Sequence, residues 1–393
     1  MPINRNFQQL SENYFFSAIN RRASQFAEAH PDQRLIRLSI GDVTQPLCSC
    51  VVAALEKATQ EMGKVDTFRG YGPEQGYPFL REAIAGYYKK WNISLETEEI
   101  FISDGAKSDL GNILDLFSEG TSVLIPDPVY PVYVDASIMG GKKILFLDAS
   151  EENSFLPLPP AFHTDVIFLC SPNNPTGAVY SKDGLQAWVD YALAEKAVLL
   201  FDGAYEAFIT DPSLPHSIFE VDGAKKCAIE FCSFSKKAGF TGTRCGYTVI
   251  PKELEIDGLS LNHLWLRRQT TKFNGVPYIV QRGAEAVFTP QGEQETTKAI
   301  AYYQENARII RQGLDQLSIS YTGGENAPYI WMRCPGRMDS EQYFKFLLEH
   351  CAVVGSPGIG FGKNGKYFFR LTAFGDREDV KEAIKRIINC MSL

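Results

Sequence analysis

Short apolar runs alternate with amphipathic stretches through the middle of the chain. Several stretches between the runs have apolar residues at helical spacing, most clearly residues 182–196. This alternation predicts a mostly parallel sheet with helices on both faces. Ligands bind at the carboxyl ends of the strands in such a sheet. The predicted strands are residues 100–103, 123–125, 144–147, 166–170, 198–201, 227–232 and 247–250.

The two ends of the chain have a different pattern. Helical spacing predicts helices at 51–62 and 78–91 before the alternating region, and a third from 104 to 117 inside it. After residue 283 come a long helix at 294–317, a strand at 328–333, a helix at 340–350, a strand at 367–372 and a helix to 390. We therefore predict a large domain over residues 45–283. A smaller α+β domain would combine residues 284–393 with the N-terminal arm, residues 1–44.

Composition narrows the class of protein. A chain of 393 residues exceeds one typical core, and 45 % apolar with 22 % charged residues is ordinary for a globular protein. The net charge of -8 argues against a nucleic-acid or membrane-surface partner. Nine scattered cysteines suggest reduced thiols in the cytoplasm, and five histidines in no ligand spacing predict no metal site.

A lysine and an arginine lie close together in a loop rich in small and hydroxyl residues. Lys236 is preceded by Ser233 and Ser235, and Arg244 follows eight positions later. Burial lowers the pKa of a lysine and frees its amine for imine chemistry, while serines, backbone N–H groups and arginine bind phosphate. An amine beside a phosphate site suggests pyridoxal 5'-phosphate. The alternative is a surface Lys-Lys pair in a glycine-rich loop.

Polar residues at other strand ends suit the same cofactor. Asp202 ends one strand, and a buried carboxylate stays ionised beside a cation such as a pyridinium nitrogen. Asn174 follows another strand and could hydrogen-bond a phenolic oxygen. The alternatives are an N-capping aspartate and a plain Asn-Pro turn. Ala106 and Lys107 begin a helix that could bind phosphate, and Tyr130 could either stack on an aromatic cofactor or belong to the core.

In this order, the motifs resemble the fold-type I, class I/II pyridoxal-phosphate aminotransferases over nearly the whole chain. The motifs are Tyr71…Gly76…Leu80-Arg81, Asn174-Pro175-Thr176-Gly177, Asp202…Tyr205, Ser233…Lys236…Arg244-Cys245-Gly246 and Phe369-Arg370-Leu371-Thr372. The resemblance implies a large domain with a mostly parallel seven-stranded sheet and a smaller α+β domain. It also implies pyridoxal 5'-phosphate as cofactor, amino-acid and keto-acid substrates, and a homodimer with shared active sites.

The resemblance assigns a role to each matching position. Lys236 is the catalytic lysine, which forms a Schiff base with the cofactor and then carries the proton. Asp202 pairs with the ring nitrogen, and Arg370 grips the substrate α-carboxylate. The other cofactor contacts are Tyr205 and Asn174 at the 3'-oxygen, Tyr130 stacked on the ring, Ser233, Ser235, Arg244, Ala106 and Lys107 at the phosphate, Tyr71 of the partner subunit, and Asn274.

A sharper resemblance is to one subgroup, the LL-diaminopimelate aminotransferases. It lies in Gly70-Tyr71-Gly72-Pro73-Glu74-Gln75-Gly76, Ser103-Asp104-Gly105-Ala106-Lys107 and Ala238-Gly239-Phe240-Thr241-Gly242. Diaminopimelate carries an ammonium and a carboxylate at its far end. Glu74 of the partner chain would bind that ammonium, although it could also be a solvated turn residue. The other substrate candidates are Tyr14, Gly41, Lys107, Tyr130, Asn174 and Asn274.

Three readings compete with this one. Another class I/II transaminase could use an aromatic, alanine or glutamine-type donor, and a β-lyase or cyclopropane-carboxylate synthase could share the fold. A cofactor-binding regulator is the third, and the acidic net charge counts against it. Lys237, a second basic residue beside Lys236, receives no catalytic role.

Overall fold

The computed structural model describes residues 2–11, 15–39 and 41–391. The strands within these residues are β1 (Ile36–Arg37), β2 (Ile100–Ser103), β3 (Ser122–Asp127), β4 (Lys143–Asp148), β5 (Val166–Cys170), β6 (Val198–Asp202), β7 (Ala228–Ser233), β8 (Gly246–Val249), β9 (Glu255–Ile256), β10 (Leu259–Ser260), β11 (Tyr321–Gly323), β12 (Tyr329–Arg333), β13 (Val353–Val354), β14 (Ser356–Pro357) and β15 (Phe368–Thr372).

The helices begin at polar caps or prolines in several cases. Ser181 Oγ accepts a hydrogen bond from Gly184 N, and Thr289 caps the longest helix, which has a proline in its first turn. The α-helices are α1 (Phe15–Ala29), α2 (Ser49–Met62), α3 (Pro78–Tyr88), α4 (Ala106–Asn112), α5 (Val132–Met139), α6 (Lys182–Glu195), α7 (Phe234–Ala238), α8 (Leu261–Lys272), α9 (Tyr278–Ala286), α10 (Pro290–Gln316), α11 (Ser340–Phe346) and α12 (Arg377–Met391).

The large sheet confirms the predicted α/β class. Its strand order is β2-β8-β7-β6-β5-β3-β4. Only β8 among these seven strands runs antiparallel to its neighbours, β2 and β7. The carboxyl ends of β2, β7, β6, β5 and β3 therefore meet at one edge of the sheet, and the start of β8 joins them there.

Both faces of the sheet are buried. In β5, Val166 and Phe168 pack into one apolar cluster, while Ile167 and Leu169 pack into the other. Burial on both faces explains why the central strands are continuous apolar runs. Most of the predicted strands agree with the observed ones to within a residue or two at each end.

A smaller antiparallel sheet follows helix α10. Its order is β11-β12-β15-β14, and it shares one of the two apolar clusters with the large sheet. The division at residues 45 and 283 stays a prediction. In the helix predicted over 340–350, the α-helical part ends at Phe346 and a π-helix continues to Cys351.

Helices α8 and α9 were not among the sequence-based predictions. In α8 the buried face includes Asn262 and Gln269, so the apolar periodicity is interrupted. Asn262 Nδ2 donates to the backbone oxygens of Glu98 and Ile250, which is why this polar residue is tolerated there.

Across the described residues, none of the helices combines the length and the apolar character needed to cross a membrane.

Candidate active site

A cavity of about 390 Å³ lies at the carboxyl edge of the large sheet, against the small sheet. Twelve of the residues that line it are sequence-predicted site residues, namely Gly41, Ala106, Lys107, Tyr130, Asn174, Asp202, Tyr205, Ser233, Ser235, Lys236, Arg244 and Arg370. The remaining lining residues are Phe16, Asp42, Leu110, Ala204, Thr241 and Tyr329. The structure thus brings together residues from the ends of β2, β3, β5, β6 and β7.

Lys236 projects from α7, a helix of five residues. Ser233 begins the helix, since its Oγ accepts a hydrogen bond from Ser235 N at 3.1 Å. Gly239, with φ of +79°, ends it in the left-handed conformation that glycine favours. The cap and the glycine therefore limit α7 to the five residues between β7 and the loop that leads to β8.

The Lys236 amine has an altered protonation equilibrium. Its Nζ donates a hydrogen bond to the backbone oxygen of Gly41. Burial lowers the pKa of Lys236 to about 8; Asp42 opposes the shift, and Arg244 and Arg370 add to it. A lysine with this pKa has a sizeable fraction of free amine near neutral pH, as imine chemistry requires.

The end of the cavity next to Arg244 is lined by hydrogen-bond donors. Arg244 Nη1 donates to Ser235 Oγ at 3.2 Å, and Ala106 and Lys107 lie in the first turn of α4. Gly105 has φ of +131°, and a Cβ there would lie 2.3 Å from Arg244 Nη2. Because glycine at this position lets the guanidinium approach the backbone, serine, arginine and α4 converge on one small space.

Asp202 lies buried at the end of β6. Its Oδ2 accepts a hydrogen bond from the Tyr133 hydroxyl at 2.6 Å, and its Oδ1 accepts one from Ala204 N at 3.0 Å. Burial raises the pKa of Asp202, while the Tyr133 hydrogen bond opposes the shift. A cation placed against this carboxylate in the cavity would keep it ionised.

Arg370 is held rigidly on β15. It is 1 % exposed, its Nη1 donates to Asn174 Oδ1 at 2.7 Å, and its Nη2 donates to the backbone oxygen of Ser39 at 2.9 Å. The guanidinium carbon also lies 4.6 Å from the Tyr329 ring centroid. A guanidinium fixed in this way is suited to bind a carboxylate in one orientation.

Tyr205 and Tyr329 join the two sheets across the cavity. Their hydroxyls lie 2.7 Å apart within hydrogen-bond distance, and their rings meet edge to face. Gly177, in the turn after Asn174, packs against β12, the strand that carries Tyr329. A Cβ at Gly177 would lie 2.5 Å from the backbone oxygen of Tyr329. These contacts fix the position of β12 relative to the loops that follow β5 and β6.

Three predicted residues lie away from this cavity. Tyr71 is 92 % exposed, Glu74 is half-buried, and Asn274 is exposed. They share one surface, since Gly275 packs against the backbone of Pro73 and Glu74. Tyr14 lies outside the described residues.

Several residues of the site carried no signal in the sequence. Tyr133 and Tyr329 orient Asp202 and Tyr205. Ser39 supplies a carbonyl to Arg370, and Asp42 lies in the wall beside Lys236. Each comes from a segment distant in sequence, and a single tyrosine or serine has no local pattern that distinguishes it from a core residue.

Comparison with known proteins adds a family and relatives. Residues 33–387 match the family model "Aminotransferase class I and II". The chain is 51 % identical to the LL-diaminopimelate aminotransferase of Lawsonia intracellularis and 50 % identical to that of Parabacteroides distasonis, with 98 % of each chain covered in both cases. It superposes with a TM-score of 0.93 on the L,L-diaminopimelate aminotransferase from Chlamydomonas reinhardtii, which is 40 % identical, covering 98 % of both chains.

Proposed function

The chain belongs to the class I and II aminotransferases, and on that premise we propose that it transfers an amino group between LL-2,6-diaminopimelate and 2-oxoglutarate. The products are glutamate and a keto acid that cyclises, with loss of water, to tetrahydrodipicolinate. This is a step in making lysine and peptidoglycan precursors. The observation that carries the reaction is the Lys236 amine in one cavity with Asp202 and Arg370. Relatives about half identical over the whole chain and bearing that enzyme's name support the substrate.

The residues of the cavity fit pyridoxal 5'-phosphate. Buried Asp202 would pair with the ring nitrogen, and Tyr205 and Asn174 would hold the 3'-oxygen. Tyr130 would stack on the ring. The space between Arg244, Ser235 and the first turn of α4 suits a phosphate. When bound, this cofactor withdraws electrons from the substrate Cα and stores the amino group between the two half-reactions.

Arg370 and Lys236 would act on the substrate directly. The Arg370 guanidinium would bind the α-carboxylate in a bidentate pair, which orients the Cα–H bond. Lys236 Nζ, with its pKa lowered to about 8, would remove the proton from Cα as general base and deliver it to the C4' carbon of the cofactor as general acid. The rings of Phe16 and Tyr329 beside Arg370 would limit the access of water to the reacting atoms.

The far end of diaminopimelate would be recognised by a second copy of the chain. Val65 is 96 % exposed, Phe68 61 % and Tyr71 92 %, so this surface presents apolar area next to Glu74. In a homodimer, Tyr71 of one subunit would reach the phosphate of the other, and Glu74 would bind the distal ammonium. Asn274 and Tyr14 remain candidates for the distal carboxylate, and Lys107, Tyr130 and Gly41 line the cavity beside the substrate.

We also infer that the enzyme acts in the cytoplasm. All nine cysteines of the chain are free thiols in the structure, and six of them are buried in the two main clusters. Free thiols in such number are typical of a reducing compartment.

A half-reaction tests the assignment. The cofactor-loaded protein is mixed with LL-diaminopimelate in the absence of a keto acid, and the visible cofactor band is followed. We expect the band to convert to the amino form with LL-diaminopimelate and with glutamate. Conversion with tyrosine or alanine but not with LL-diaminopimelate would indicate another transaminase. Release of pyruvate or ammonia would indicate a lyase.

A further inference from the structure

Lys237 follows Lys236 in α7, but its side chain points in another direction. Consecutive residues of an α-helix lie about 100° apart around the axis. Lys236 therefore reaches the cavity, whereas Lys237 Nζ lies 3.2 Å from Glu206 Oε1 on the other side. The Lys237 ammonium also lies 3.4 Å from the centroid of the Tyr87 ring. The two side chains of the ion pair are only 13 % and 10 % exposed.

Glu206 is held by further partners in the same buried space. Its two carboxylate oxygens accept the Tyr87 hydroxyl at 3.0 and 3.1 Å, and the ring Nδ1 of His216 lies 3.4 Å from Oε2. Burial alone would raise the pKa of Glu206, but the Lys237 ammonium and His216 outweigh it and lower that pKa to about 2. The carboxylate is therefore ionised at neutral pH.

The members of this pair are the sequence neighbours of two cavity residues. Lys237 follows Lys236, and Glu206 follows Tyr205 at the start of a short turn, Glu206–Phe208. Because α7 has only five residues, its own hydrogen bonds do little to fix its orientation. A link between the two neighbours therefore constrains both cavity residues at once.

We propose that the Lys237–Glu206 ion pair positions the Lys236 amine relative to the Tyr205 hydroxyl. The pair ties the helix that carries Lys236 to the turn that carries Tyr205, from behind the cavity. This inference rests on the proposed function, in which both groups hold the same cofactor ring. Stability alone is a weak reason for such a pair, since buried ion pairs can often be replaced by apolar residues without loss of stability.

The test uses Lys237→Met, Glu206→Gln, the double variant and the conservative Lys237→Arg in the cofactor-loaded enzyme. Lys252→Met, which breaks the exposed pair with Glu96, is the matched control. Three quantities are measured: the visible circular dichroism per bound cofactor, which reports how rigidly the ring is held, and kcat and KM for LL-diaminopimelate. Thermal unfolding identifies variants that fail to fold.

We expect kcat to fall by about tenfold or more in the single and double variants, with a weaker dichroism signal, because a small misplacement of a reacting group is costly. KM should stay within about twofold of the wild-type value. Arg370 and Asn174, which would bind the substrate, lie on elements other than α7 and the Glu206–Phe208 turn. Lys237→Arg should recover most of kcat, and the control should match the wild type. The double variant should fold, because it leaves neither charge buried alone.

Wild-type dichroism and kcat in a folded double variant would overturn the proposal. Equal losses in Lys237→Arg and Lys237→Met would overturn it as well, because the retained charge would then have no effect. A wild-type protein without a visible cofactor band would instead count against the proposed function. The two failures are therefore distinguished by the wild-type sample.

Discussion

The cavity and the surface around Glu74 differ in how far a single chain completes them. In the cavity, Asp202 and Arg370 are buried and bonded to neighbours from the same chain. Tyr71, by contrast, is 92 % exposed, and Glu74 lies near it without lining the cavity. The difference shows that one chain supplies Asp202, Arg370 and the partners that hold them. Under the proposed function, the recognition of the substrate's far end depends on a second chain.

The largest expected effect is that of Lys236→Ala, which removes the lysine amine from the cavity. Removing the amine should lower the transamination rate by about a thousandfold or more, because proton transfer at Cα loses its base and acid. The visible band of the lysine-bound cofactor should disappear as well. Activity is measured by the formation of glutamate, and the fold by circular dichroism in the far ultraviolet.

One outcome would contradict this prediction, and a control variant accompanies it. A folded Lys236→Ala protein that keeps both turnover and the visible band would contradict the role of Lys236. Arg268→Met is a suitable control, since its ion pair with Asp115 lies among residues that do not line the cavity. This control should keep the rate of the wild type.

An intermediate effect is expected for Glu74→Ala, which alters the exposed surface. The rate with LL-diaminopimelate should fall by about tenfold or more, because a buried substrate ammonium would lose its partner, while the glutamate half-reaction should be nearly unchanged. Rates of both half-reactions are measured with each substrate alone. Unchanged use of diaminopimelate with reduced use of glutamate would show that the role given to Glu74 is wrong.

Mixing variants sharpens the comparison further. Glu74→Ala and Lys236→Ala chains are unfolded together and refolded, so that hybrid dimers form. If Glu74 acts across the interface, the hybrid contains one site with both residues intact, and activity toward diaminopimelate should exceed that of either parent. Activity no higher than the average of the parents would place Glu74 in the site of its own chain.

The smallest effect concerns the protonation of Lys236 in the cofactor-free protein. Because burial lowers its pKa to about 8, the amine is mostly protonated below that pH and mostly free above it. Reductive trapping by a small aldehyde, quantified at Lys236 by mass spectrometry, should therefore rise with a midpoint near pH 8. Lys252, whose pKa Glu96 raises, is the control within the same sample. A shared midpoint for the two lysines would contradict burial of the amine.

Much of the large sheet could be predicted from the sequence because its central strands are buried on both faces. β5 was predicted at its observed bounds, and Asp202 was correctly placed at the end of β6. These features depend on local patterns, namely an apolar run and a polar residue that follows it. Twelve predicted site residues, several of them named from the family resemblance, line one cavity in the structure.

Features that depend on distant partners could not be predicted. The hydroxyl of Tyr133 reaches Asp202 from 69 positions away, and Lys237 meets Glu206 across 31 positions. Helix α8 was missed because Asn262 and Gln269 are buried where an apolar residue is expected. In each case, a buried polar group is hydrogen-bonded by residues far away in sequence. Such contacts produce no regular spacing of apolar and polar residues from which they could be predicted.

Strand β8, the one antiparallel strand described in the large sheet, has a consequence for the order in which the protein can fold during synthesis. Within the large sheet, β2 has β8 as its strand neighbour, so Ile100 must wait for Val249, its partner, to be made. Pairings of such long sequence separation form late and slowly. Until then, the backbone of β2 has no strand to pair with in the large sheet. A nascent chain that stops short of residue 249 would therefore expose an apolar edge, and chaperones that bind such edges should recognise it.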